Sequence, residues 1–258
     1  MRKIDIGKER KRIIEFIQEQ LAKAGLDNLI VGISGGIDSA VTAALCVEAV
    51  GKEKVKGFLL PYKASHPDSL AHGRLLVEFL GVAYQKIDIS PMVDSYFETY
   101  FSEASALRKG NRMARERMCV LFDQSALYGG LVAGTGNKTE LFTGYVTQHG
   151  DGACAFEPLG HLYKTEVYEL AELLQIPQEL IDKAPTADLW DGQTDESEMG
   201  ISYAMLDEIL YRLYEQQITE ADIIAEGFAV KDLERVKALY TKSEFKRNLP
   251  PQLELIKI

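Results

Sequence analysis

The stretch LIVGISGGIDSA, residues 29–40, joins β-favouring apolar residues to a glycine turn and then to an acidic residue that opens a helix. Gly35 and Gly36 let the backbone enter positive φ and bring amide N–H groups close to an anion. The following helix aims its N-terminal dipole at the same place. That dipole contributes only about 0.3–1 kcal/mol in exposed settings, too little to hold a triphosphate. The commonest phosphate loop, G-x-x-x-x-G-K-[ST], adds a lysine beside the terminal phosphates, which suits chemistry at the γ-phosphoryl group. Here the loop ends in Asp38 and Ser39 instead. An aspartate beside pyrophosphate is repulsive unless it holds a hard cation, so Asp38 is read as a ligand of Mg²⁺, which prefers oxygen and bridges phosphates. Such a metal neutralises a departing pyrophosphate, and attack then falls at the α-phosphorus.

Outward from this turn the chain reads as alternating strands and helices. Ile13, Ile14, Ile17 and Leu21 keep an apolar face that Gly25 ends, which predicts a helix over roughly 7–24. Apolar runs predict strands at LIVGI, KVKGFLLP and GGLVAGT, and alternation predicts one at VAYQKIDI, with a helix from about 38 to 50 and another spanning Leu70 to Phe79. Strands separated by helical segments imply crossovers: an α/β fold, doubly wound, with a mostly parallel sheet covered on both faces, followed by a helical C-terminal part. Ligands then bind beyond the carboxyl ends of the strands, near the switch in strand order. With 258 residues and 46% hydrophobic content, one domain over 1–258 is expected. Residues 184–200, APTADLWDGQTDESEMG, are too long and polar for a simple connection and read as a mobile functional loop.

The net charge of -10 and pI near 5.0 argue against a nucleic-acid binder, whose affinity comes from lysine and arginine. The charged N-terminus holds neither a signal peptide nor a membrane span. Cys46, Cys119 and Cys154 lack ligand spacing, as do His66, His72, His149 and His161. No transition metal is assigned, and reduced thiols point to the cytoplasm.

SGGIDS, residues 34–39, resembles the PP-loop of the ATP pyrophosphatase superfamily, whose members adenylate an oxygen and release pyrophosphate. The bland alternative is a tight turn in which Asp38 and Ser39 merely cap a helix. KGNRMARERM, GTGNKTEL, HGDGA, YKTEV, PTADLW and FKRNLPP follow in the order found in NAD synthetases, and the resemblance extends over nearly the whole chain. It is to the short, ammonia-using form, which amidates deamido-NAD to NAD⁺ through an adenylated intermediate, the last step of NAD biosynthesis. The long forms carry an extra glutaminase domain. About 28 residues precede the first strand here, so the nitrogen is expected as free ammonia or from a separate partner protein.

The resemblance implies a site. ATP would contact Gly32, Ile33, Ser34, Gly35, Gly36, Ile37, Asp38 and Ser39, with Thr135, Lys164 and Thr186. Mg²⁺ would lie between Asp38 and Glu140. Asp38 and Lys164 are the catalytic candidates, the lysine stabilising the departing pyrophosphate. Read alone, Glu140 is equally a first-turn helix carboxylate and Lys164 a helix-start lysine. Arg108, Arg112 and Arg115 share a helix stripe that suggests a phosphate or carboxylate partner, or an ordinary solvated face. By resemblance, Arg115 would contact deamido-NAD. The acceptor side departs from the family pattern: Gln148, Ala155 and Phe245 stand where many relatives carry lysine, aspartate and histidine. Lys246, Asp151 or Glu157 are the compensating candidates. The loop 184–200 is expected to close over the nucleotide, and the family forms homodimers. Met118, Leu121 and Phe122 on the long helix serve either that interface or the core. Rival readings are an amidating ligase with a different acid and a non-catalytic ATP-binding module.

Overall fold

The computed structural model describes residues 2–190 and 192–253. In chain order its elements are α1 (Ile6–Ala24), β1 (Asn28–Gly32), α2 (Ile37–Val50), β2 (Val55–Leu59), α3 (Pro67–Leu80), β3 (Ala83–Lys86), α4 (Ser90–Tyr100), α5 (Ala106–Tyr128), β4 (Gly130–Ala133), α6 (Lys138–Thr143) and α7 (Lys164–Leu173). The helical C-terminal part follows as α8 (Gln178–Ile181), α9 (Asp195–Met199), α10 (Tyr203–Leu210), α11 (Glu220–Ala225), α12 (Val230–Lys242) and α13 (Glu244–Arg247).

The four expected strands form one parallel sheet in the order β3-β2-β1-β4. From β1 the chain winds through β2 to β3, then crosses by α4 and α5 to β4 on the other side of β1. The switch in order therefore falls between β1 and β4. One pairing was not foreseen: Ala133 bridges Phe156 in parallel, with Gly134 N donating to Phe156 O at 2.9 Å and Ala155 N to Val132 O at 2.9 Å. This brings the segment after α6 alongside the β4 edge.

Side chains of β1 alternate between two cores, as a strand covered on both faces demands. Leu29, Val31 and Ile33 pack with α1, α2, α3 and α7. Ile30 joins Phe58, Val132 and the α5 residues Met113, Met118 and Leu121 on the opposite face. Met118 and Leu121 thus serve the core, whereas Phe122 is 44% exposed. Gly32 lets α5 approach closely, since a Cβ there would stand 3.1 Å from Leu121 Cδ1.

A third core, including Met199, Leu206, Ile209, Leu210 and Val236, holds the C-terminal helices together. Fully buried Asp207 of α10 anchors this layer to the site. Its carboxylate accepts from Thr139 Oγ1 at 2.5 Å and from Thr165 N at 2.9 Å, and burial pushes its carboxyl up to about 6.

The turn after β1 fits against the start of α3. Gly35 has φ +76, and a Cβ there would lie 2.2 Å from Ser69 O. Gly36 does not share this conformation. At φ -101 and ψ 162 it is extended and forms the N-cap of α2, so one positive-φ residue makes the turn rather than the two expected. Gly25, by contrast, has φ +65 with open space around it. Gly25→Ala should cost about 1–2 kcal/mol of left-handed strain. Gly35→Ala adds an overpacking cost, giving about 2–5 kcal/mol. Urea unfolding of both variants measures the difference, and equal losses would remove the packing role assigned to Gly35.

Candidate active site

A cleft of about 630 Å³ opens at the carboxyl ends of β1 and β4, where an open α/β sheet places its ligand. The turn after β1 forms its floor and locks itself. Ser34 N donates to Ser39 Oγ at 3.3 Å, Ser39 Oγ donates to Gly36 O at 2.9 Å, and Gly36 N donates to Ser34 Oγ at 3.2 Å. No side chain caps α2, so the amides of its first turn stay open for an anion. Asp38 is not the cap. Its carboxylate turns away to accept from Asn137 Nδ2 at 2.8 Å and from Lys164 Nζ at 2.5 Å.

Three helix starts meet at that carboxylate. Asn137 caps α6 and closes a capping box with Glu140, accepting from Glu140 N at 3.0 Å while Asn137 N donates to Glu140 Oε2 at 3.3 Å. The other Glu140 oxygen accepts from Lys164 Nζ at 3.2 Å. Glu140 is thus the first-turn helix carboxylate of one reading, and its other oxygen faces Asp38 and Lys164. Lys164 opens α7 with only 2% of its surface exposed, and its ammonium lies 5.0 Å from the centre of the Tyr203 ring. Burial works against the Lys164 charge, but Asp38 and Glu140 outweigh it and raise the group above the ordinary lysine range. Burial pushes Glu140 up to about 8; Lys164 opposes the shift, and Asp38 and Asp195 add to it. Two carboxylates converging on one cationic centre form an all-oxygen set of the kind Mg²⁺ accepts when substrate phosphates and water complete its shell.

Gly32, Ile33 and Ile37 line the cleft with the loop, and so do Thr135 and Thr186. Thr186 Oγ1 accepts from Asp188 N at 3.1 Å. Asp188 itself accepts from His66 N at 3.0 Å, so the polar stretch read as a loop forms one wall. Asp191 of that stretch lies outside the described residues, and α9 occupies its far end.

Lys183 and Arg117, which also line the cleft, had not been singled out. Lys183 donates from Nζ to Gly35 O at 3.3 Å and to Ser69 Oγ at 3.0 Å, which ties the base of the polar loop to the phosphate turn. Arg117 of α5 donates from Nε to Leu60 O at 3.0 Å and faces the cavity. Helical phase was the available signal for Arg117, because it lies on the side of α5 opposite Arg115, with the buried residues Met113, Ala114 and Met118.

The arginine stripe lies elsewhere. Arg108 sits over the Phe101 ring at 4.9 Å and Arg112 over Tyr96 at 4.7 Å while pairing with Glu116. Aromatic residues of α4 and its C-terminal neighbour thus occupy two of the three cations. Arg115 is exposed and donates from Nε to Gln148 O at 3.2 Å.

The structure places Arg115, Gln148, Ala155 and Phe245 outside the lining of the main cleft, whereas Lys246 and Asp151 line it. Lys246 Nζ donates to Gly144 O and Val146 O, each at 2.7 Å. Phe245 borders an adjoining hollow of about 260 Å³ that Lys246 shares. Glu157 lies beneath the β4 turn and accepts from Gly136 N at 3.1 Å.

Comparison with known proteins agrees with this arrangement. A model of the family described as NAD synthase matches residues 9–250. The NH(3)-dependent NAD(+) synthetase of Fusobacterium nucleatum subsp. nucleatum is 47% identical over 252 residues, covering 97% of each chain. Among solved structures, NMN synthetase from Francisella tularensis superposes with a TM-score of 0.88 at 31% identity, covering 98% of this chain and 100% of its own. The NH3-dependent NAD synthetase of Campylobacter jejuni subsp. jejuni, in complex with the nitrate ion, gives a TM-score of 0.83 at 33% identity, with 97% and 100% covered. On this evidence the chain belongs to the NAD synthase family.

Proposed function

We infer that this chain amidates deamido-NAD with ammonia to give NAD⁺, cleaving ATP to AMP and pyrophosphate, and so catalyses the last step of NAD biosynthesis. The observation that carries the reading is the buried Lys164 ammonium held between Asp38 and Glu140 at the uncapped start of α2. A carboxylate does not react with ammonia until one of its oxygens becomes part of a leaving group. Adenylation makes AMP that group.

The chain's own residues divide the work. The open amides of α2 receive the phosphates, and Lys164, with Lys183 beside the turn, balances the charge that grows on the departing pyrophosphate. Thr135, after β4, and Thr186, in the polar stretch, both line the cleft and orient the nucleotide. Holding two substrates in line contributes about 7–11 kcal/mol of the barrier reduction. The wall formed by residues 184–190 shields the acyl-adenylate from water. Mg²⁺, held by Asp38 and Glu140, would add electrostatic neutralisation of the leaving group.

The enzyme is assigned to the cytoplasm, where its three free cysteines stay reduced. Among the described residues no helix is long and apolar enough to cross a membrane. It is proposed to act as a homodimer. The end of α4, the residue after it and α5 expose Tyr100, Phe101 and Phe122, and exposed apolar surface of this kind can serve an interface. Ammonia arrives free or from a separate supplying protein.

A second reading concerns the acceptor. The likeness to an NMN synthetase motivates a mononucleotide acid as the alternative to the dinucleotide. Measuring kcat/KM with deamido-NAD and with the acid form of NMN separates the two. The dinucleotide reading requires deamido-NAD to be the better substrate, and the reverse order would replace it.

For Asp38→Asn, loss of a metal ligand worth several kcal/mol should slow acceptor-dependent pyrophosphate release by about 100-fold or more. Measured on variant protein whose thermal melting shows it folded, an unchanged rate with an unchanged metal requirement would remove Asp38 from the chemistry.

A further inference from the structure

The roles above leave Asp195 idle. It opens α9, is only 4% exposed and faces the cleft. Its Oδ2 accepts from the Tyr203 hydroxyl at 2.9 Å, whereas Oδ1 is buried and has no hydrogen-bond partner among the described residues. A carboxylate oxygen can only accept, and leaving one buried and unmatched is costly. The geometry calls for an occupant that donates.

The surroundings say which kind. Tyr145 Oη donates to Glu198 Oε2 at 2.6 Å, and Gln193 Nε2 donates to the same oxygen at 3.2 Å. These residues line the cleft beside Asp195. The Asp195 carboxyl also lies within the field of Lys164 and Asp38. Burial raises it, while Lys164 and the Tyr203 and Tyr145 hydroxyls pull it back. Three buried or half-buried carboxylates, Asp38, Glu140 and Asp195, therefore share one ammonium. This excess of negative charge favours a cation over a neutral hydroxyl. With Asp38 and Glu140 assigned to Mg²⁺, the buried Asp195 Oδ1 is left for a small ion that brings its own N–H donors. Tyrosine rings add their faces to such an ion, as Tyr203 already does for Lys164.

We propose that Asp195, with Glu198 and Tyr145 beside it, docks the ammonium ion that supplies the amide nitrogen, and that Asp195 Oδ1 accepts its first proton. This rests on the amidation reading above. One N–H bond of ammonium breaks, its proton passes to Oδ1, and the freed lone pair forms the C–N bond at the acyl carbon. The bond from that carbon to the AMP oxygen breaks, and its electron pair leaves with AMP. The second proton shed by nitrogen goes to the AMP phosphate, and Asp195 returns its own to solvent.

Asp195→Asn keeps the shape and an oxygen for Tyr203 but presents an N–H₂ where the acceptor stood. Three measurements on the whole protein test the assignment. They are the KM for ammonium, the rate with hydroxylamine, which is uncharged at neutral pH, and acceptor-dependent exchange of pyrophosphate into ATP without any amine. The expected result is an ammonium KM raised on the order of 10- to 100-fold, the ratio carried by a lost charged hydrogen bond. Hydroxylamine turnover and exchange should stay within about twofold, far less than such a bond carries. An ammonium KM that stays near the parent value overturns the proposal. So does a parallel fall in exchange or in the hydroxylamine reaction, because either assigns Asp195 a structural or nucleotide-binding role. Absence of exchange in the parent protein defeats the amidation reading itself, a distinct result that removes the inference with it.

Discussion

The Lys164 ammonium, wedged between Asp38 and Glu140 with 2% of its surface exposed, is the constraint around which the rest of the molecule is arranged. A buried ion pair is a poor way to gain stability. Apolar residues of similar volume often do as well, yet removing one partner of such a pair costs about 3–5 kcal/mol. A fold that carries this arrangement has placed charge where something must meet it. The excess carboxylate beside Lys164 awaits cations, and the open amides of α2 on the same floor await an anion.

Holding the cluster takes three helix N-termini, and the hydrogen bonds at each explain why only one is free for a ligand. At α6 the first-turn amides go to the Asn137–Glu140 capping box. At α7, Lys164 N donates to Thr139 Oγ1 at 2.9 Å and Thr165 N to Asp207 at 2.9 Å. Thr139 in turn donates to Asp207, so the C-terminal layer is hydrogen-bonded directly beneath the charged residues. All three dipoles favour the carboxylates gathered there. Only α2, capped by an extended glycine with no side-chain partner, keeps its amides exposed. The lack of a capping serine or aspartate at its N-cap leaves these donors without a side-chain partner.

Much of this was legible in the sequence where chemistry and pattern coincide. Three strands were readable as apolar runs bounded by glycine, proline or a polar turn, whereas β3, AYQK and exposed along its length, was readable only from the alternation of VAYQKIDI. Asp38, Glu140 and Lys164 were readable because their motifs fix residue type and spacing together. What escaped was decided by tertiary geometry. The Ala133–Phe156 bridge joins a single pair and leaves no periodic trace. Lys183 sits in a segment with no pattern, and only the approach of α3 to the phosphate turn gives its ammonium two partners. On α5 the arginines were grouped by their i, i+4, i+7 spacing, but spacing says which side chains share a face, not what that face meets. Here it meets the aromatic residues Tyr96 and Phe101, and Arg117, on another face, points into the cleft.

The same geometry separates two halves of the site by how completely one chain encloses them. The phosphate end is walled by the β1 turn, the β4 turn and residues 183–190, all drawn together at the switch in strand order. Binding energy there comes from groups already fixed in place, with little left to organise. The residues expected on the acceptor side lie where α5, the segment after α6 and the last helix reach the surface. Arg115 and Gln148 bond to each other there, and Phe245 stays 59% exposed. A surface of that kind gains its shape from what is brought against it, whether the acceptor itself or a second copy of the chain. Gln148, Ala155 and Phe245, which do not line the main cleft, stand apart from the Asp38–Lys164–Glu140 cluster.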